Sequence, residues 1–286
     1  MALKNYLGLF FVGIFLLSAS HSFASSASSI FASIDDVNAR VLLIGDTNHK
    51  LESIRQAAAF GLKEIKAADP SFDCLFVEYD ERLQPALDLY SKTPNANFKQ
   101  VLTEYINKFQ PSMAALEYPS LPNEDIFREA KIQSIKVFAA DMDFSGAAGD
   151  AAIEATKAYA NDPKNPVTIS NYALKTLQER NLILAKNVAR RFQDKSCHRS
   201  IVFFGNRHMV NFEFLGVPTI PTRDYLMTMG LKSIVSRVVR LDCEKVPTAN
   251  RKSCEKVKSN LNTSPIFVPS EALGTNIGES FFILAK

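Results

Sequence analysis

Along the chain, short continuous apolar runs alternate with longer amphipathic stretches. The first run, Val41-Leu42-Leu43-Ile44, leads straight into Gly45-Asp46-Thr47-Asn48-His49. A short run that is apolar at every position and bounded by Gly predicts a strand buried on both faces. Residues 49–67 then place Leu51, Ile54, Ala58, Leu62 and Ile65 at helical spacing, which predicts an amphipathic helix, and Asp69-Pro70 ends it. The second run, Cys74-Leu75-Phe76-Val77, ends in Glu78 and Asp80. The stretch 84–121 is the least regular. A helix is predicted over 98–109, and scattered Pro and Asn make the remainder a helical insertion on the rim of a sheet, a natural place for a lid or specificity region. Residues 123–134 predict a helix, 135–140 a third strand ending in Asp141 and Asp143, and 144–150 a Gly-rich loop.

Residues 170–194 read as one long helix with Ala173, Leu177, Leu184 and Val188 on a single apolar stripe. Arg180 falls on that stripe. Arg is rarely buried without a partner, so it either pairs with a carboxylate at the sheet or snorkels past the stripe. A fourth run, Ile201-Val202-Phe203-Phe204, ends in Gly205-Asn206-Arg207-His208, the second strand-Gly-x-x-His of the chain. A short helix over 221–230, an alternating, edge-like strand over 233–241 and a last apolar strand over 280–285 complete the pattern. Strands alternating with helices predict an α/β fold with a mostly parallel central sheet flanked by helices.

In a parallel sheet the ends of all these strands share one edge, where open α/β sheets keep their ligand sites. Four strands end there in ionisable groups: Asp46/His49, Glu78/Asp80, Asp141/Asp143 and Arg207/His208. Singly, a His after a strand reads as a structural hydrogen-bonding group and an acid as a helix cap; together they mark a candidate site. Two histidines with carboxylates suit a divalent metal such as Zn²⁺ or Mn²⁺, with His49, Glu78 and His208 as ligands. The same set also works without metal. A helix N-terminus disfavours the charged form of His49, and a neutral imidazole is a competent general base. Glu78 could orient it, and His208 or Arg180 could stabilise an oxyanion. No Gly-x-Ser-x-Gly elbow is present. Ser145 reads as turn chemistry, and His198 as a structural group at the opposite edge.

Composition narrows the context. The chain has 286 residues, 47% hydrophobic, with a net charge of +3 and no Trp. No basic stripe with interleaved aromatics is present, which argues against nucleic acid as a partner; a small-molecule or peptide substrate fits better. Lys4 followed by an apolar stretch over 7–17 and Ser22-Phe23-Ala24 form a signal-peptide pattern. Cleavage is expected after Ala24, with a flexible leader over 25–37 and a single domain over 38–286. The apolar stretch is shorter than the ~20 residues of a membrane span, so no stable membrane anchor is expected and the chain is expected in the periplasm or outside the cell. Four cysteines in an exported chain suggest disulfides. Cys243 and Cys254 flank a polar loop, and Cys74 and Cys197 each precede an apolar run at the same sheet edge, so these two pairings are favoured.

Gly45-Asp46-Thr47-Asn48-His49 after the first strand, Glu78 at the end of the second, Glu179-Arg180-Asn181 opening a helical Leu-Ile-Leu-Ala-Lys-Asn-Val, and Gly205-Asn206-Arg207-His208 occur in that order. The set resembles the superfamily that joins the erythromycin esterases, the ChaN-type haem-binding proteins and the TraB/TIKI group. The resemblance spans residues 38–285 apart from the insertion. It implies His49, Glu78, Arg180 and His208 as site residues, with Asp46 standing where the family usually has Glu and reaching one C–C bond less far. It further implies one of three activities: ester hydrolysis with the first His as base, metal-dependent peptide cleavage, or haem binding, for which Tyr79 or a histidine is the axial-ligand candidate. A secreted effector without catalysis is a further alternative on the same scaffold. Fold alone does not choose among them.

Overall fold

A computed structural model of the chain describes residues 39–46, 51–109, 124–209, 212–240, 243–245, 251–252, 255, 266–269 and 281–285. The expected signal peptide and leader, and His49 with its neighbours 47–50, lie outside these residues. In chain order the elements are β1 (Val41–Asp46), α1 (Glu52–Ala68), β2 (Phe72–Asp80), a 3₁₀ turn (Glu81–Leu83), α2 (Gln84–Lys92), α3 (Phe98–Phe109), α4 (Glu124–Ile132), β3 (Lys136–Asp141), α5 (Ala147–Asn161) and α6 (Pro166–Tyr172). A π-helical segment (Ala173–Gln178) runs into α7 (Glu179–Gln193). Next come β4 (Arg199–Gly205), a 3₁₀ turn (Asn206–His208), the hairpin β5 (Phe212–Phe214) and β6 (Val217–Thr219), α8 (Thr222–Thr228), β7 (Ser233–Arg240), β8 (Ile266–Pro269) and β9 (Phe281–Ala285).

The main sheet has seven strands in the order β3-β2-β4-β1-β7-β9-β8. Every neighbouring pair is parallel except β8 with β9. β7, expected as edge-like, lies inside the sheet between β1 and β9. Its alternation does not mark an exposed face: Val235 and Ser236 are both fully covered. The fully apolar strands are buried on both sides, as their composition requires. Leu42, Ile44, Leu75 and Val77 point into a core with α1, α2, α3 and α4, whereas Val41, Leu43, Phe76, Val202 and Phe204 point into a second core with α7 and α8.

The two layers follow from handedness. The connections β1 to β2 and β2 to β3 step one way across the sheet; β3 to β4 and β4 to β7 step the other way. Right-handed crossovers therefore place the two sets of helices on opposite faces. The stretch 84–121 supplies α2 and α3, whose Leu87, Tyr90, Phe98, Leu102 and Ile106 are buried in the first core; residues 110–123 lie outside those described. Of the expected Gly-rich loop, the part from Ala147 is already α5.

The N-terminal edge is stapled. Cys74 in β2 and Cys197, just before β4, form a disulfide, which the adjacency of these strands allows. Next to it His198 engages Asp73, backbone N–H to Oδ1 at 2.9 Å and ring Nδ1 to Oδ2 at 2.7 Å. His198 is thus structural and remote from the other edge. Cys243 is also buried and disulfide-bonded; Cys254, its expected partner, lies outside the described residues.

Candidate functional site

β1 and β4 are neighbours whose continuations leave to opposite faces of the sheet. Their C-terminal ends therefore flank the topological switch point of the fold, the position at which open α/β sheets have their ligand crevice. Gly45 lies opposite Phe204 and Asp46 opposite Gly205 in register. Gly45 leaves room for Asn206: an added Cβ would overlap Asn206 Oδ1, at the end of its side chain, and come to 3.0 Å from Asn206 Cα. Asp46 is buried at this end of β1. His49 follows within the residues not described.

On the other side of β4, β2 presents Glu78. One carboxylate oxygen, Oε2, accepts the Gly205 N–H at 2.8 Å, while Oε1 accepts Arg180 Nη2 at 2.6 Å. Arg180 opens the first turn of α7 and spans two strands. It also donates from Nε to Asp141 Oδ1 at 2.9 Å and from Nη2 to Asp141 Oδ2, at the end of β3. Its guanidinium lies 5.6 Å from the centre of the Phe144 ring. Burial alone would lower the guanidinium's affinity for its proton, but the two carboxylates outweigh this and hold it above the ordinary arginine value. Arg180 is therefore a largely covered cation clamping two acids, not a snorkelling side chain.

His208, in the 3₁₀ turn after β4, is buried. Its Nε2 faces Glu78 Oε1 at 3.6 Å, and its Nδ1 meets Asn181 Oδ1 at 2.6 Å. Glu78, Arg180 and His208 thus converge on one point, and Asn181 joins them. No periodicity argument singles out Asn181; the available signal is that it directly follows Arg180 and sits, as a poor helix former, in a helix's first turn.

The remaining acids do different work. Asp80 is fully buried and accepts the Arg82 N–H at 2.9 Å, Arg82 Nη2 at 2.6 Å and the Phe144 N–H at 3.0 Å. Arg82 Nε also pairs with Asp143 at 2.9 Å. Burial opposes the charged form of Asp143, but hydrogen bonds from the Ser145 hydroxyl and N–H, with the Arg82 charge, hold its carboxyl below the ordinary range. This network fixes the loop from β3 to α5, and Ser145 is turn chemistry within it. Tyr79, the haem-ligand candidate, points the other way. Its ring is fully buried in the first core, edge-on to Phe98 and Phe127, so its phenol does not reach the crevice. Successive strand residues alternate faces, and Glu78 at the edge turns Tyr79 into the core.

As metal donors the described residues fit poorly. Both Glu78 oxygens and both Asp141 oxygens are already engaged, with Arg180 as the counter-cation. Among the described residues no group of three or more His, Cys, Asp and Glu is arranged to hold an ion. Among them, too, no helix is long and apolar enough to cross a membrane. Chemically, the arrangement is a fixed carboxylate acceptor beside an oriented imidazole, at the end of a crevice.

No family model and no curated protein matches the sequence. Solved structures do match. ChaN of Campylobacter jejuni, described with cofacial haem binding, aligns with a TM-score of 0.51 and 11% identity over 92% of each chain. The type III effector HopBA1 aligns at 0.47 with 15% identity, over 86% of this chain and 88% of that one. An erythromycin esterase mutant, EreC in its open conformation, aligns at 0.47 with 9% identity, over 72% and 71%. The chain has the fold of ChaN over nearly its whole length, the scaffold that the order of its motifs suggests.

Proposed function

We propose that the chain is an exported hydrolase-like enzyme that cleaves an ester or amide bond in the crevice between β1 and β4. The carrying observation is the pairing of Glu78, held by Arg180 and the Gly205 N–H, with the Nε2 face of His208. In this reading His49 is the general base and takes the proton from the attacking water. Glu78 orients the His49 imidazole, Arg180 holds Glu78 in place, and His208, once its Nε2 carries a proton, stabilises the developing oxyanion. Asp46 supports the β1 side of the crevice. Export is supported by the Cys74–Cys197 disulfide, which persists in oxidising compartments, together with the N-terminal pattern Lys4, 7–17 and Ala24.

The test uses the mature chain from Ser25 with p-nitrophenyl butyrate, a macrolactone and a reporter peptide as probes. Hydrolysis of at least one is expected, with His49→Ala and His208→Ala each losing about 10²–10⁴-fold. Absence of turnover on all three, or turnover that both variants leave intact, overturns the reading.

Haem binding is the second reading, favoured by the shared fold with a haem-binding ChaN. With Tyr79 in the core, a histidine at the crevice would be the iron ligand. A Soret shift on titration with haem, lost in His49→Ala or His208→Ala, supports it; no spectral change removes it.

A further inference from the structure

We infer that Asn181 is a positioning residue that locks the His208 ring as the Nδ1–H tautomer and so presents Nε2 as the reactive nitrogen. The argument needs only donor and acceptor rules. Asn181 is fully buried. One end of its amide lies 2.8 Å from the Ile220 carbonyl. A carbonyl can only accept, so that end is the NH₂ group. The other end is then the oxygen, and it lies 2.6 Å from His208 Nδ1. An oxygen cannot donate, so Nδ1 carries the proton. In the neutral ring the lone pair is therefore on Nε2, the nitrogen that faces Glu78 at 3.6 Å.

The clamp reaches beyond the pair. Ile220 directly follows β6, and its N–H is 3.5 Å from Gln178 Oε1 at the end of the π segment. Val217 of the same hairpin packs on Ala173 and Leu177. The hairpin, the π segment and the site histidine are thus joined through one buried amide. The role assigned to Nε2 in catalysis rests on the proposed hydrolytic reading; the tautomer does not.

The experiment is long-range ¹⁵N–¹H NMR on the mature chain labelled at histidine, at a pH where the ring is neutral, with the His208 signals assigned by their loss in His208→Gln. A protonated, pyrrole-type Nδ1 and an unprotonated Nε2 are expected. Asn181→Asp keeps an acceptor for Nδ1–H and is expected to retain the signature. Asn181→Leu removes it and is expected to shift the ring towards the Nε2–H form, with an about 100-fold loss of turnover on whichever ester the wild type cleaves. A wild-type ring protonated on Nε2, or an Asn181→Leu variant with the signature unchanged, overturns the inference. Should the wild type hydrolyse no probe, the hydrolytic reading fails and the NMR signature still decides the role of Asn181. The wild-type spectrum decides it even where a variant does not fold.

Discussion

Replacing Arg180 with Met is the most direct challenge to the carboxylate clamp. The Arg180 side chain is 14% exposed, against 2% for Asp141 and 20% for Glu78. The substitution keeps most of the apolar stem and removes the cation, so two largely desolvated carboxylates lose their shared partner. Breaking a buried pair in this way costs about 3–5 kcal/mol, because the desolvation of the remaining ions is no longer offset. Loss of the stacked Phe144 ring adds about 0.5–1 kcal/mol. Against a total stability of about 5–15 kcal/mol, this is a large fraction, and urea unfolding at neutral pH with the disulfides intact is the assay. Arg180→Lys keeps the charge but not the two-pronged geometry that spans Asp141, so it should recover only part of the loss. A cycle with Asp141→Asn supplies the specific term. If the clamp is energetic, the double variant loses about 1–3 kcal/mol less than the two single losses added together. An Arg180→Met variant within about 1 kcal/mol of wild type, or a cycle with no coupling, would refute the reasoning and return Arg180 to a merely snorkelling residue.

Three further outcomes follow from the same contacts. Replacing Cys74 and Cys197 together with Ser should cost about 5 kcal/mol, since the bridge closes a loop across 123 residues of sequence separation; thermal unfolding of the oxidised and reduced wild type measures the same term. Gly45→Ala should destabilise by about 1–3 kcal/mol through overpacking on Asn206, and Gly149→Ala by more, because its Cβ would meet Phe144 C at 2.6 Å and Asp143 O at 2.7 Å, both backbone. For Asp73, burial opposes the charged form but hydrogen bonds from the His198 ring and N–H prevail, so its folded carboxyl titrates below the ordinary 3.8. A depressed folded value means that this contribution is fully present above pH 3.8 and is lost as the pH falls below it. Asp73→Asn should therefore flatten the acid limb of the stability curve, and an unchanged limb would show that the pair contributes nothing.

The parts of the fold that were readable in advance are those where one side-chain class dictates the element. Val41–Ile44, Leu75–Val77 and Ile201–Phe204 are apolar at every position, and only a strand covered on both faces buries them all. Because the sheet is parallel, their polar ends had to meet, which is why Glu78 and His208, 130 positions apart in sequence, lie across one gap. The disulfide was readable for the same reason: both cysteines stand just before apolar runs that start at one edge, and the structure makes the two strands neighbours. The reading that failed inferred an edge position from alternation alone. β7 alternates yet is interior, because Ser236 is buried in the sheet beside Ile44. Tyr79, a haem-ligand candidate only through the family resemblance, lies in the first core because successive strand residues face opposite ways.

The long helix shows how a periodic pattern can be right locally and wrong globally. Ala173, Leu177, Leu184 and Val188 fit one stripe at 3.6 residues per turn, yet the first two pack with Tyr159, Ile169 and Tyr172 in a satellite cluster, and the last two pack on the sheet. The π segment Ala173–Gln178 carries the first two and runs directly into the α-helix that carries the last two. Its wider turns change the register, so α7 faces the sheet on its own terms. Arg180 and Asn181, about 100° apart on that first α-helical turn, then diverge. Arg180 reaches the acids at the ends of β2 and β3, and Asn181 reaches His208 after β4 and the carbonyl after β6. The two neighbouring side chains thus reach different strand ends because they are consecutive on a regular α-helical turn, whereas the irregular segment that precedes them is invisible to any argument that assumes a constant helical period.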